Sequence, residues 1–160
     1  MQVFFETKCG NDKKCVAQLN LKTDILLNSQ ISQDNKIIEG LHKSLILNVN
    51  MENIGEPSYL TELIIRYKPL LNLLKLNSKC KNRRDINSNS GIVQCNVGNP
   101  FENEVQELYI SFDLNQLDFD LTEVEFNLEM KSASEIHENS ESYENITLSI
   151  IRNASIKILG

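Results

Sequence analysis

The chain has 160 residues and a mass of 18.3 kDa, which suits one domain with a single hydrophobic core. Its formal net charge of −6 argues against a nucleic-acid surface, because such a surface needs clustered Lys and Arg to replace the counterions along the phosphates. No apolar run approaches the ~20 residues of a membrane-spanning helix, so we predict no direct membrane insertion of this segment. The basic cluster Lys79, Lys81, Arg83 and Arg84 lies in a polar stretch and is interpreted as a solvated loop.

Most of the chain alternates apolar and polar residues with a period of two, which is typical of half-buried strands in an antiparallel sheet. Turn residues such as Gly55, Pro57 and Pro100 separate the alternating segments. The apolar rows of the predicted strands fall, in chain order, at 17–27, 45–51, 59–67, 108–114, 124–130 and 146–150, and Ile156 and Ile158 extend the last one. Ile46 stands on the polar side of its strand and is predicted to cover a sheet edge.

Two segments are less regular. Residues 60–76 also satisfy a helical spacing, but Pro69 disfavours one long helix because it lacks an amide donor and clashes with the preceding turn. We therefore predict two strands that bend at Pro69. Residues 82–91, rich in Asn and Ser, are predicted to form a mobile loop.

About seven to nine short strands separated by turns predict an all-β fold, an immunoglobulin-like sandwich of two antiparallel sheets. True immunoglobulin domains have one cysteine on each facing sheet with a tryptophan between them. This chain has no Trp. We see no internal repeat and no interdomain linker.

The four cysteines are even in number and locally spaced, and this indicates the oxidised pairs Cys9–Cys15 and Cys80–Cys95 in an extracellular setting. A cytosolic thiol protein and a metal–thiolate site are the alternatives. The latter usually needs short paired spacings such as C-x-x-C with histidine support, and the chain has 2 His. The Cys80–Cys95 pair would close a hairpin loop of about 15 residues, worth ~3 kcal/mol on the chain-entropy model.

Two acceptor sequons for N-linked sugar, at Asn145 and Asn153, also point to secretion. The first residues lack the charged start and long apolar centre of a secretory signal. The chain is therefore expected to be a piece of a longer protein.

No motif in the chain is typical of an enzyme. There is no G-x-S-x-G turn and no glycine-rich phosphate loop, and both His42 and His137 lie in polar surroundings. Carboxylates two residues apart on a predicted strand share one outward face, so they are interpreted as solvated: Asp118 with Asp120, and Glu123 with Glu125.

Four motifs in a fixed order resemble the calf-1 domain of integrin alpha subunits. Cys9-Gly10-Asn11-Asp12-Lys13-Lys14-Cys15 is similar to the family's C-G-x-D-x-x-C knee loop, and residues 53–56 to its N-x-G-E turn. Residues 59–63 are similar to its Y-x-x-E-L strand, and residues 95–100 to its C-x-L-G-N-P segment. Phe101 and the acidic loop with its terminal sequons look closest to the laminin-receptor class, including insect relatives.

This resemblance implies a domain organisation and a calcium site. Residues 1–8 would be the tail of the preceding thigh domain or a knee linker, and residues 9–160 the calf-1-like sandwich. In the family the knee loop and the turn glutamate hold a calcium ion, so Asp12 and Glu56 would supply carboxylate oxygens and the backbone carbonyls of Cys9 and Lys14 neutral ones. The alternative is that neither carboxylate binds a cation: Asp12 caps a turn, and Glu56 is a solvated turn residue.

The resemblance also implies a function. The chain would be an extracellular leg segment of a heterodimeric, single-pass adhesion receptor of the plasma membrane, a strut hinged at the knee that supports the bent-to-extended change. Its partners would be an integrin beta subunit and the neighbouring alpha-subunit domains, with matrix ligands bound only through the parent's head. The alternative is an independent secreted β-sandwich that binds a protein or a carbohydrate.

Overall fold

The computed structural model describes Cys9 and residues 14–152, and their regular secondary structure is entirely β. The strands are β1 (Val16–Ala17), β2 (Leu19–Leu27), β3 (Gln30–Ile31), β4 (Lys36–Ile38), β5 (Ser44–Asn53), β6 (Thr61–Lys68), β7 (Asn72–Lys75), β8 (Cys80–Asp85), β9 (Ser90–Gly98), β10 (Val105–Asp113), β11 (Glu123–Lys131), β12 (Glu135–Ile136) and β13 (Tyr143–Ile151). None of the described residues forms a helix of the length and hydrophobicity that crossing a bilayer requires.

The strands form two packed sheets. One sheet has the order β3-β2-β5-β10-β7 and the other the order β4-β13-β11-β6-β9-β8. Neighbouring strands are antiparallel except for β4 with β13 and for β1 with β12, a separate parallel pair. The predicted all-β, immunoglobulin-like sandwich is confirmed.

Period-two alternation places the core between the sheets. In β5 every second side chain from Leu45 is buried, and β11 buries every second side chain from Val124. Phe112 of the five-stranded sheet is fully buried, and its ring lies 5.0 Å from that of Tyr67 and 5.4 Å from that of Phe126 in the other sheet. Aromatic packing therefore joins the two layers at this point.

Residues 60–76 form two strands, as predicted, but the strands lie in different sheets. β6 pairs with β9 and β11, whereas β7 pairs with β10 in the opposite layer. Pro69 falls in the short connection between them. The chain thus crosses from one sheet to the other at the proline, which needs no amide donor there.

Two sequence predictions were wrong. The predicted loop 82–91 is instead most of a hairpin, because residues 80–85 pair with residues 90–95 through the backbone. An edge strand buries few side chains and so lacks the apolar alternation that would reveal it. Ile46 covers no edge, since β5 lies between β2 and β10.

The chain enters and leaves the described sandwich at opposite ends. β2 and β13 both start at the end that carries β1, the turn 53–56 and the segment 98–101, which we call the amino-terminal end. Both strands run to the other end, where Arg152 donates to Glu39 at 2.6 Å. The candidate site lies at the amino-terminal end.

Candidate functional site at the amino-terminal end

The motifs singled out from the sequence meet at the amino-terminal end. Cys9 is bonded to Cys15, and both are buried. Directly after this loop, the backbone of residues 16–18 pairs with that of the turn 53–56: Glu56 N donates to Val16 O at 3.0 Å, and Ile54 N to Gln18 O at 3.0 Å. The first disulfide loop is thereby attached to the N-x-G-E turn.

Asn53 is the centre of this arrangement and is only 1% exposed. Its amide nitrogen donates to the carbonyls of Glu56 and Phe101, both at 2.8 Å. Its amide oxygen accepts from Gln18 N at 3.1 Å and from Gly55 N at 2.9 Å. One side chain thus joins three chain segments, and both ends of its amide are satisfied, as burial demands.

Gly55 is required by the closeness of this packing. A β-carbon at this position would lie 2.5 Å from the backbone nitrogen of Gln18, well inside van der Waals contact. Because the obstacle is backbone, it cannot move aside without breaking the pairing described above. The glycine of the motif is therefore a consequence of close backbone approach.

Glu56 is half-buried, and its carboxylate is directed at the chain that follows the disulfide loop. The Oε1 atom accepts a hydrogen bond from Val16 N at 2.9 Å, one residue after Cys15. The alternative in which Glu56 is a solvated turn residue does not account for this bond.

The calcium site predicted from the resemblance lies only partly within the described residues. Asp12 falls outside them, while Cys9 is buried and Lys14 exposed. In the described ranges, no three or more His, Cys, Asp or Glu side chains come together as a metal-binding group. Of the predicted carboxylate donors, Glu56 alone lies among the described residues, and it supplies a carboxylate, the kind of hard oxygen ligand that calcium takes.

A buried hydroxyl cluster that was not predicted from the sequence adjoins Asn53 through Phe101. Ser58 Oγ lies 2.5 Å from Thr61 Oγ1 and donates to Ser132 Oγ at 2.6 Å. The backbones of Ser58 and Phe101 exchange two hydrogen bonds, at 2.7 and 3.0 Å. The cluster links the Y-x-x-E-L strand to the proline-containing segment, so these two motifs also meet here. Ser and Thr carry no period that marks them as buried, and only their positions next to motif residues could have pointed to them.

The second disulfide lies inside the β8–β9 hairpin, where Cys95 precedes the segment 98–101 of the amino-terminal end by three residues. Cys80 and Cys95 are direct cross-strand partners with their Cα atoms 4.0 Å apart. Both disulfides therefore join near neighbours in sequence, as the spacings predicted, and in the described residues no cysteine is free.

Of the two sequons, Asn145 is described and Asn153 lies outside the described residues. Asn145 is exposed on the outer face of β13. Its side-chain oxygen accepts from Asn127 Nδ2 at 2.6 Å and from the Tyr143 hydroxyl at 3.1 Å. Its side chain faces solvent, where an attached sugar would find room, and sugar attachment stays a prediction.

The paired carboxylates are exposed side chains. Glu123 and Glu125 lie on the outer face of β11, where a hydrogen bond from one carboxyl to the other raises the pKa of Glu123. Asp118 and Asp120 are exposed, but they lie in the loop before that strand and not on a strand as predicted. His42 and His137 lie far apart along the fold, and each accepts a backbone hydrogen bond through Nδ1. None of these groups converges on a reacting centre in the part of the chain that the structure describes.

The fold and its tightly bonded end define an immunoglobulin-like structural domain, and comparison with known proteins gives its family. The family described as "Integrin alpha Ig-like domain 2" matches residues 9–150. The chain belongs to this family, and the resemblance to integrin alpha subunits is confirmed. Because this is a family of non-enzymatic receptor domains, the prediction that the chain is not an enzyme is also confirmed.

Two curated relatives illustrate the match. Integrin alpha-E of Homo sapiens is 31% identical over 105 residues, which are 62% of this chain and 8% of that protein. Integrin alpha-8 of Gallus gallus is 24% identical over 166 residues, covering 99% of this chain and 15% of that protein. The chain thus spans a small part of the length of its relatives. The laminin-receptor subclass stays a prediction.

Among solved structures, a cohesin module from a Clostridium perfringens family 33 glycoside hydrolase covers 87% of this chain and 99% of its own. The identity is 9% and the TM-score 0.44. Likeness at this level carries no argument about function.

Proposed function

We propose that the chain is an extracellular leg segment of a heterodimeric adhesion receptor, a stiff sandwich that hinges at its amino-terminal end. The observation that carries the proposal is the convergence on Asn53 of the chain after the disulfide loop, the turn 53–56 and the segment ending at Phe101. A hinge needs a rigid body immediately beside it, and this bonding makes the first residues of the sandwich part of that body.

The remaining partners follow from the proposal. The leg would pair with a beta subunit and adjoin the neighbouring alpha-subunit domains, outside the plasma membrane that the parent spans once. Matrix ligands would be bound through the parent's head. An independent carbohydrate binder would be expected to present exposed aromatics in a row. Among the described residues, the exposed Tyr109 and Tyr143 do not form such a row, because Tyr109 lies in the five-stranded sheet and Tyr143 in the six-stranded sheet.

Calcium at the knee forms part of the proposal. Asp12 and Glu56 would supply charged oxygens, and the carbonyls of Cys9 and Lys14 neutral ones. When bound, the ion would tie the disulfide loop to the sandwich, because calcium accepts six to eight oxygens in irregular geometry. Glu56 already contacts the chain next to that loop, through Val16 N. Asn11, where the family commonly has an acid, and the lysines beside it should weaken the affinity.

Glu56→Gln separates the cation from the hydrogen bond. The amide keeps an acceptor for Val16 N but loses the charge, so we expect unchanged stability without calcium. A ligand that binds only the folded state raises Tm. About 1 mM calcium should therefore raise the Tm of the unsubstituted 160-residue chain but not that of the variant. Glu56→Ala should lose the calcium response and also about 1 kcal/mol of stability without calcium.

Asp120→Asn is the matched control, since it removes one exposed carboxylate at the other end of the sandwich. It should keep the calcium response. A calcium-dependent Tm shift that survives in Glu56→Gln would show that Glu56 is no ligand. Absence of any calorimetric heat in the parent chain at millimolar calcium would remove the site altogether.

The hinge is tested by removing the first disulfide. Cys9→Ser combined with Cys15→Ser should loosen the knee and leave the sandwich folded, because the pair closes a short local loop. Small-angle scattering of the preceding thigh domain joined to this chain should show a broader spread of interdomain angles. An unchanged profile in the double variant would contradict the idea that this loop braces the knee.

A further inference from the structure

Exposed cations form a strip along β8, the edge strand of the six-stranded sheet. Lys81 and Arg83 lie on its outer face, and Lys79 and Arg84 are exposed beside them. In the part of the chain that the structure describes, none of the four enters an ion pair. We propose that this cationic strip, residues 79–84, binds a sulfated glycosaminoglycan.

The strip is held in place from below. Between its two outward cations, Asn82 points inward and donates to the Tyr67 hydroxyl at 2.9 Å and to Ile92 O at 3.3 Å. The disulfide at Cys80 fixes the start of the strand. Because this anchoring sets which way the strand faces, Lys81 and Arg83 are directed to solvent on the same side before any ligand arrives, and less ordering is needed on binding.

Protection of a sheet edge explains only part of the strip. Lys and Arg on edge strands discourage pairing with other chains. However, two cations also lie on the outer face of β6, an inner strand: Arg66 is aligned through Ile92 with Arg83, and Lys68 is its next outward neighbour. Nearer the start of β6, the outward Glu62 accepts from Gln94 Nε2 at 3.1 Å. Charges on an inner strand protect no edge. The two cations widen the strip toward the middle of the sheet.

Acidic groups mark the limits of this surface. On β11, Glu129 lies 3.8 Å from Arg66, and Glu125 is the cross-strand partner of Lys68. At the hairpin turn, Asp85 accepts from Asn87 N at 3.1 Å and from Ser88 N at 3.4 Å, and hydrogen bonds from Ser88 hold the pKa of Asp85 below its usual value. The acids on β11 therefore limit the cationic surface to β8 and the adjoining cations of β6, and a polyanion is directed along β8.

The shape and setting of the strip select the class of ligand. From residue 80 to residue 84 the extended strand rises about 14 Å at 3.4 Å per residue, which suits a linear chain with closely spaced negative charges. Lys- and Arg-rich segments of this length are typical of nucleic-acid or heparin-binding patches. The disulfide in the same hairpin places the strip in an oxidising compartment, where sulfated polysaccharides and not nucleic acids are the expected polyanions.

The test measures calorimetric binding of a heparin octasaccharide to the 160-residue chain at low salt. The chain should have both disulfides formed and no sugar, because Asn145 shares the outer face. Lys81→Gln with Arg83→Gln removes two cations of the strip, and Lys22→Gln with Lys43→Gln removes two exposed cations outside it. We expect about a tenfold loss of affinity in the first pair alone, with affinity falling as salt rises.

Three results would overturn the proposal: no binding by the parent chain, equal losses in the two double variants, or equally tight binding of a desulfated octasaccharide. Equal losses would show that binding depends only on the net charge of the chain. Equally tight binding of the desulfated octasaccharide would show that it depends on the carboxylates of the sugar and not on its sulfates. Poly-glutamate binding more tightly than heparin would point instead to an acidic protein surface. An unchanged Tm in both double variants would exclude misfolding as the cause of a lost affinity.

Discussion

We expect Phe112→Ala to lower the free energy of unfolding by about 3–5 kcal/mol, the range for truncating a buried phenylalanine. Phe112 is fully buried, and its ring contacts Tyr67 and Phe126 of the opposite sheet. Truncation removes these contacts and leaves a cavity between the two layers, which the densely packed surroundings cannot close because backbone hydrogen bonds hold the strands of each sheet in place. Urea unfolding followed by circular dichroism measures the loss.

Phe119→Ala is the matched control for this variant. The substitution is chemically the same, but Phe119 is 86% exposed in the loop before β11. Its stability should stay within about 0.5 kcal/mol of the parent chain. A loss in Phe112→Ala no larger than that in Phe119→Ala would show that the aromatic contacts do not hold the sheets together.

We expect Asn53→Ala to cost about 3 kcal/mol, because two backbone donors and two backbone acceptors, all buried or half-buried, lose the partner that Asn53 provides. The effect should be largest locally. Hydrogen exchange of the amides of Gln18 and Gly55 should accelerate more than that of the central strands. These residues flank the proposed hinge, so the variant should also mimic the loosening expected from loss of the Cys9–Cys15 bond.

An exposed asparagine supplies the comparison. Asn87→Ala, in the turn of the β8–β9 hairpin, removes a side chain that is open to solvent and should change stability little. If Asn53→Ala and Asn87→Ala proved equally mild, Asn53 would not be the residue that unites the three segments.

The strands with one buried face could be predicted because burial imposes alternation on their sequence. β5 and β11 show this most clearly. β8 could not, because one of its edges faces solvent and little of it is buried. The sheet to which β7 belongs was equally hidden, since pairing partners are set by the path of the chain after Pro69 and not by any local pattern.

For the candidate site, the sequence supplied the motifs but not their contacts. The spacing of Cys9 and Cys15 indicated the disulfide, and the resemblance selected Glu56. The role of Asn53 depends on Gln18, which is 35 positions away in the chain, and on Phe101, which is 48 positions away. Only the folded structure brings them together. The hydroxyls of Ser58 and Thr61 are buried for the same reason, without any hydrophobic period to reveal it.

The entry and exit of the chain at opposite ends determine how the domain would respond to tension. The load reaches β2 at its start and β13 at its end. β2 is paired along its length with β5 in the five-stranded sheet, and β13 with β11 in the six-stranded sheet. Pulling the two termini apart would slide both strands along their partners. All the backbone hydrogen bonds of a strand pair would then have to break together instead of one after another. Such shear loading should give a high rupture force in single-molecule stretching.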